Sequence, residues 1–372
     1  MKSVTELLTD LVKVPSASLV DNAPVIQVIS DLFKDYETSI QDWRREDGVE
    51  GKNLIVKIPG ENTEKSLVFV CHMDTVPTSS EWTTDPYTLT EKDGKLYGLG
   101  SCDTKGGTAA LIHAVLALEA KPKVDTFLVF SGDEEVSSVG ALLLKETTTF
   151  KNPEFVFIEP TDRKVLISQR TVLQIDVTTH GLSQHGSYAT PEENEKNNAI
   201  FKMAKVMELL IADALENAKD NDALLGSNTQ NFGQIIGGTA RNVMADTCML
   251  SVDRRLLPSI DPNEEVQKIR ALLKAEDTQT EVKMIIRHPS FVTAQDALLV
   301  LSALQAMKEQ GINGEVGGFQ AWSEAGLFAD VGDVIILGPG SISQAHKANE
   351  YVDKKELEDY SPIFKSLMLQ KV

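Results

Sequence analysis

The stretch Thr126-Phe127-Leu128-Val129-Phe130-Ser131-Gly132-Asp133-Glu134-Glu135 carries two signals. Its first half is short, apolar and rich in β-branched and aromatic residues, the pattern of a buried strand. Its end is a run of acids. Like charges packed together raise each other's pKa and oppose folding unless something positive sits among them. Adjacent residues leaving a strand point in different directions, so Glu134 and Glu135 can serve different partners, one a substrate and the other a metal. The plain alternative is a solvated acidic turn.

Working outward, strands are expected at 53–58, 67–71 and 154–158. Ser3-x-x-Glu6 is a capping box ahead of Leu7, Leu8, Leu11 and Val12, which fall at helical spacing. Further helices are expected at 24–34 and 107–120, the latter led by small residues. Strands alternating with helices indicate an α/β fold, a mostly parallel sheet with helices on both faces. Ligands of such sheets sit at the carboxyl ends of strands, and His72, Glu134, Glu135 and Glu159 all fall just past strand ends.

From about Thr171 the style changes. A strand alternates over 172–178, a helix runs over 198–215, and a polar segment, Asp220-Asn221-Asp222, follows. Next come a strand near 249–252, a helix opening at Asp261-Pro262-Asn263-Glu264 and a strand over 281–286. Asp261 reads as the N-cap with Pro262 at N1. This is a smaller α+β domain, residues 170–287, inserted in a larger domain made of 1–169 and 288–372. The α/β style returns with a helix at 297–307 and a strand at 334–337, leading to Gly338-Pro339-Gly340-Ser341-Ile342-Ser343-Gln344-Ala345-His346. Asp353 caps a last helix, which Pro362 should bend.

At 372 residues the chain is long for one core, in keeping with two domains. A net charge of −19 argues against nucleic acid, since little here would neutralise phosphates. The sequence shows no apolar signal-peptide core and no membrane-length apolar run, and its three cysteines make no disulfide framework. A cytoplasmic protein is expected.

His72, Asp74, Asp103, Glu134, Glu135, Glu159 and His346 together offer imidazoles and carboxylates near the strand ends of one sheet. That donor set suits a pair of divalent ions, zinc first, with cobalt and manganese as alternatives. Two ions about 3.5–4 Å apart hold and activate one water. Cys71 and Cys102 each precede a proposed ligand, but an extended neighbour points the other way, so both read as small buried residues. Gly98-Leu99-Gly100-Ser101-Cys102-Asp103 has Asp103 where a dinucleotide fingerprint needs glycine, and neither a Gly-x-Ser-x-Gly elbow nor a His-Glu-x-x-His helix is present.

His72-Met73-Asp74-Thr75-Val76-Pro77, the segment from Gly98 to Gly107, Asp133-Glu134-Glu135, Glu159-Pro160-Thr161 and the late His346 resemble, in order, the di-zinc aminoacylase and exopeptidase family. That family includes the acetylornithine deacetylase and succinyl-diaminopimelate desuccinylase group. The resemblance implies two zinc ions per chain: His72 and Glu159 on one, His346 and Glu135 on the other, and Asp103 bridging. It implies that Asp74 orients the His72 ring, that Glu134 is the general base, and that the Asp103–Thr104 peptide is cis. The segment Gly181 to Gly186 resembles the family's lid segment, which implies a homodimer in which His185 reaches the partner's site. Asn242 and Arg255 would hold the substrate carboxylate, with Arg254 as the alternative to Arg255. Ser323-Glu324-Ala325-Gly326 resembles the acetylornithine and acetylcitrulline deacetylase branch, which would bring Glu324 to the substrate. Gln169-Arg170-Thr171 departs from the Lys-Gly type sequence of the family. The implied activity is hydrolysis of a small N-acyl amino acid, acetylornithine first and acetylcitrulline second. A desuccinylase, a dipeptidase and a metal-free dimeric binding protein are the alternatives.

Overall fold

The structure, a computed structural model, describes residues 1–275 and 280–370. The chain divides into two compact units, Met1–Ser168 with Val292–Val372, and Gln169–Phe291.

The first unit is built on a mixed sheet. Its centre is parallel: Val124–Ser131, Asn62–His72, Pro153–Phe157 and Asp333–Ile336 lie side by side in that order. Antiparallel strands flank it, Glu50–Ile58 and then Glu37–Arg44 on one side and Lys164–Gln169 on the other. The parallel register sets His72 opposite Ser131 and Val70 opposite Phe157. The residues that follow these strands, Asp133 to Glu135 and Glu159, therefore emerge at the level of His72.

Helices cover both faces. Val4–Val12 begins at the Ser3 capping box, with Glu6 N–H donating to Ser3 Oγ and Ser3 N–H to Glu6. It packs with Lys105–Leu116 and Lys354–Leu369. Lys105–Leu116 starts two residues earlier than the periodicity predicts and is buried almost all round. Its small residues are required there: a Cβ on Gly107 would lie 2.3 Å from Ile158 Cγ2, and one on Gly106 2.2 Å from Ser101 O. Asp353 accepts from Glu356 N–H, and the last helix runs through Pro362 to Leu369.

The second unit is a four-stranded antiparallel sheet in the order Thr229–Gly237, Thr247–Leu256, Thr171–His180, Thr280–His288. Leu173, Ile175 and Val177 point to one face and form a core with Met203, Val206 and Leu210 of the helix Ala199–Asn217 and Val266 and Ile269 of the helix Pro262–Ala275. Asp261 accepts from Asn263 and Glu264 N–H, the N-cap expected of it. The polar segment at Asn221–Asp222 pairs with Gly226–Ser227 as a short hairpin. No helix among the described residues is long and apolar enough to cross a membrane.

Candidate active site

His72 is the last residue of its strand and 3% exposed. Its Nδ1 lies 3.0 Å from the backbone oxygen of Asp74, which can only accept, so Nδ1 carries the proton. In the neutral ring this makes Nε2 the ligand atom, 3.0 Å from Asp103 Oδ1 and 3.7 Å from Glu159 Oε1. Burial works against a charge on this ring, but Asp103, Asp74 and the other acids outweigh it and raise its pKa.

Asp103 faces a second group as well. His346 Nε2 lies 3.6 Å from Asp103 Oδ2 and 2.9 Å from Glu135 Oε2. The hydrogen bond to Glu135 raises the His346 pKa. His72, Asp103 and Glu159 form one set of donor atoms within 4.8 Å of one another, and Asp103, Glu135 and His346 form another. Asp103 belongs to both. Its loop is anchored by the buried Glu350, whose Oε1 accepts from Cys102 and Asp103 N–H and whose Oε2 accepts from Gly100 N–H. The Asp103–Thr104 peptide is cis.

Burial, together with neighbouring acids, raises the pKa of Glu159 and of Glu134, the latter still partly open to solvent. Carboxyl groups that resist ionisation in this way mark a site short of positive charge. The hard and borderline donors present, carboxylate and neutral imidazole, fit divalent cations. Cys102 Sγ is directed to Ser341 O at 3.4 Å, and burial pushes the Cys71 thiol up to about 12, so neither presents a thiolate to the cluster.

Asp74 has a broader task than the expected one. Its carboxylate is 3.6 Å from His72 Nδ1, the ring being held by the Asp74 carbonyl instead. The carboxylate accepts from Ser18 Oγ at 2.8 Å and from Glu134 and Glu135 N–H at 3.2 and 3.1 Å. It thus ties the acidic turn to the His72 strand. Glu324, expected to meet the substrate, is 2% exposed and takes a long hydrogen bond from Ser131 Oγ at 3.4 Å. Burial pushes its carboxyl up to about 8. Its carboxyl is near enough to add to the rise in the pKa of Glu134 and Glu159.

The remaining expected residues belong to the second unit. Ser187 N–H donates to His185 Nδ1 at 3.2 Å, with Ser187 Oγ 2.8 Å away, so a neutral His185 carries its proton on Nε2. The exposed His185 pairs with Val243 in an isolated antiparallel bridge, and Gly186 N–H donates to Asn242 O at 2.7 Å, so the segments of His185 and Asn242 run side by side. The two arginines separate by strand alternation. Arg254, 2% exposed, turns to the helices and pairs with Asp213 and Glu265. Arg255 points to the other face, partly exposed and held by Asp253 at 2.8 Å.

Arg45 was not visible to sequence reasoning. Its guanidinium, 2.8 Å from Asp133, is the positive group that the acid run requires. Glu350 was missed too; neither residue carries a local motif.

A metal-dependent amidohydrolase is the class that this fold, these donor sets and the known relatives define. The chain belongs to peptidase family M20/M25/M40, whose model matches residues 68–370. It is 30% identical over 363 residues to an acetylornithine deacetylase of Myxococcus xanthus, covering 94% of this chain and 92% of that protein. It is also 30% identical over 372 residues to an acetylornithine deacetylase of Proteus mirabilis, covering 95% and 92%. Among solved structures, an M20 family metallo-carboxypeptidase from Sulfolobus solfataricus superposes with TM-score 0.78 at 18% identity, covering 99% of both chains. A dinuclear metal-binding M20 peptidase from Bacillus subtilis does so with TM-score 0.73 at 14% identity, covering 98% and 96%.

Proposed function

We propose that this enzyme hydrolyses the amide of an N-acylated amino acid, N2-acetyl-L-ornithine first and N-acetyl-L-citrulline second. The observation that carries the reading is the sharing of Asp103 between two donor sets at the strand ends. The relatives named acetylornithine deacetylase support the substrate. Nothing supports the metal-free alternative.

In this reading His72, Asp103 and Glu159 hold one divalent cation and Asp103, Glu135 and His346 the other, zinc first. When bound, such a pair supplies Lewis acidity for water and for the amide carbonyl. Glu134 takes a proton from the attacking water on a carboxylate oxygen and delivers it to the leaving amine nitrogen. Burial and the neighbouring acids raise its pKa, which strengthens it as an acceptor for that proton. His185 donates from Nε2 to the oxyanion. Arg255 and Asn242 receive the substrate carboxylate, the guanidinium fork matching it. The products are acetate and the free amino acid. Free, buried Cys71, Cys102 and Cys248 fit a cytoplasmic enzyme.

Steady-state rates over N-acetylornithine, N-acetylcitrulline, N-succinyl-diaminopimelate and dipeptides test the substrate. The highest kcat/KM is expected for N-acetylornithine; a dipeptide or the succinyl compound leading the series would move the enzyme to another branch of the family.

We further propose a homodimer in which His185 completes the partner's site. The edge strand Thr229–Gly237 leaves Ile235 and Ile236 more than half exposed on its two faces, and Phe201 is 55% exposed on the adjoining helix, apolar positions at an open sheet edge suited to a second copy. Loss of one oxyanion donor costs about 10²–10³ in kcat, so His185→Ala should lose that much. Mixed with Glu134→Gln under demonstrated subunit exchange, it should recover up to roughly a quarter of wild-type activity, since half the dimers would hold one intact site. No recovery would place His185 in its own chain's site.

A further inference from the structure

Asp133 is 1% exposed and adopts φ 76°, a left-handed conformation uncommon outside glycine, immediately before Glu134 and Glu135. What holds it is a closed ring of hydrogen bonds. Arg45 Nη1 donates to Asp133 Oδ1 at 2.8 Å and to Ser18 O at 3.0 Å. Ser18 Oγ donates to Asp74 Oδ2 at 2.8 Å, and Asp74 accepts from the N–H groups of Glu134 and Glu135, which returns the ring to the turn. The second oxygen of Asp133 accepts from Ser137 Oγ and Val139 N–H, tying the turn to the helix that follows. The rest of the Arg45 fork grips Asp47, Nε to Oδ1 at 2.8 Å and Nη2 to Oδ2 at 2.6 Å. The strand that ends just before Arg45 is itself seated close: a Cβ on Gly132 would lie 3.0 Å from the Trp43 ring, and one on Gly51 2.2 Å from it.

We propose that Arg45 is a positioning residue for hydrolysis, acting through Asp133 and Ser18 to set the direction in which Glu134 and Glu135 leave the turn. The inference rests on the roles given above to those glutamates. A planar guanidinium is required because two carboxylates and a carbonyl are bonded at once; the ammonium of a lysine offers charge without that fork. Asp133 touches no reacting atom. Its carboxylate is consumed by Arg45, Ser137 and Val139, so of the three adjacent acids it alone serves the backbone.

The test uses full-length Arg45→Met, Arg45→Lys, Asp133→Asn and the double variant Arg45→Met/Asp133→Asn, each loaded with cobalt. Misplacing a reacting group by about 1 Å costs about 10²-fold. Arg45→Met should lose roughly that much in kcat with KM barely moved, and its cobalt visible spectrum should change because Glu135 is displaced. Arg45→Lys should restore part of both. The double variant should be no worse than the poorer single variant, since both break one ring. If Arg45→Met does not fold, Asp133→Asn and Arg45→Lys carry the same comparison. Folded variants with the wild-type spectrum and wild-type kcat would overturn the proposal. A wild type that binds cobalt but hydrolyses no acyl amino acid would sink the functional reading instead, and the spectra would still decide the role of Arg45.

Discussion

Replacing Glu134 by glutamine should lower kcat by at least about 10²-fold, the ordinary scale for loss of a general base, while leaving metal content unchanged. Glutamine keeps the shape of the side chain but cannot accept the proton of water. Glu134 is absent from both donor sets, so its loss removes no ligand. Glu135→Gln should behave differently. Glu135 Oε2 lies 2.9 Å from His346 Nε2 within the second donor set, so metal should be lost from that set along with activity. Metal analysis and single-turnover rates on the two variants separate the roles. Loss of metal from Glu134→Gln with retention in Glu135→Gln would show the roles to be exchanged.

That the adjacent glutamates diverge was legible because a strand end sends neighbours in different directions, and Glu135 lies in a donor set while Glu134 lies in neither. The parallel sheet centre was legible because the runs before His72, Ser131 and Glu159 are short, apolar and bounded by polar residues, and they pair in parallel as expected. His346 was expected from a resemblance of sequence; it lies in the segment that follows the strand Asp333–Ile336, which pairs with Pro153–Phe157 in the sheet.

Edge strands were not legible. Glu37–Arg44 is mostly exposed and polar, so it lacks the alternation that marks a half-buried strand. Thr229–Gly237 carries an irregularity between Phe232 and Gln234, which breaks its period. Arg254 and Arg255 could not be told apart for a similar reason, since a shift of one residue exchanges the faces of a strand. The supports of the site were hidden by distance along the chain. Arg45 meets Asp133 88 residues on, and Glu350 meets Asp103 across 247. Such partners are chosen by tertiary packing, and no local pattern announces them.

Removal of the metal should have the other large effect. Without cations the cluster holds protons: the Glu159 pKa stands well above 4.5 because of burial and neighbouring acids, and the His72 pKa is raised by its carboxylate partners. Both protons must leave before those atoms can bind metal, so affinity should rise with pH until the raised pKa values of Glu159 and His72 are passed and level off above them. Binding at 1,000 times Kd adds about 4 kcal/mol of stability, and the rise in Tm on reloading should therefore grow with pH. The most direct measurement is a titration of exhaustively stripped protein with zinc or cobalt while hydrolysis of N2-acetyl-L-ornithine is followed. Activity should start at background and saturate at two ions per chain; full activity in protein shown to be free of metal would contradict two-ion hydrolysis at this site.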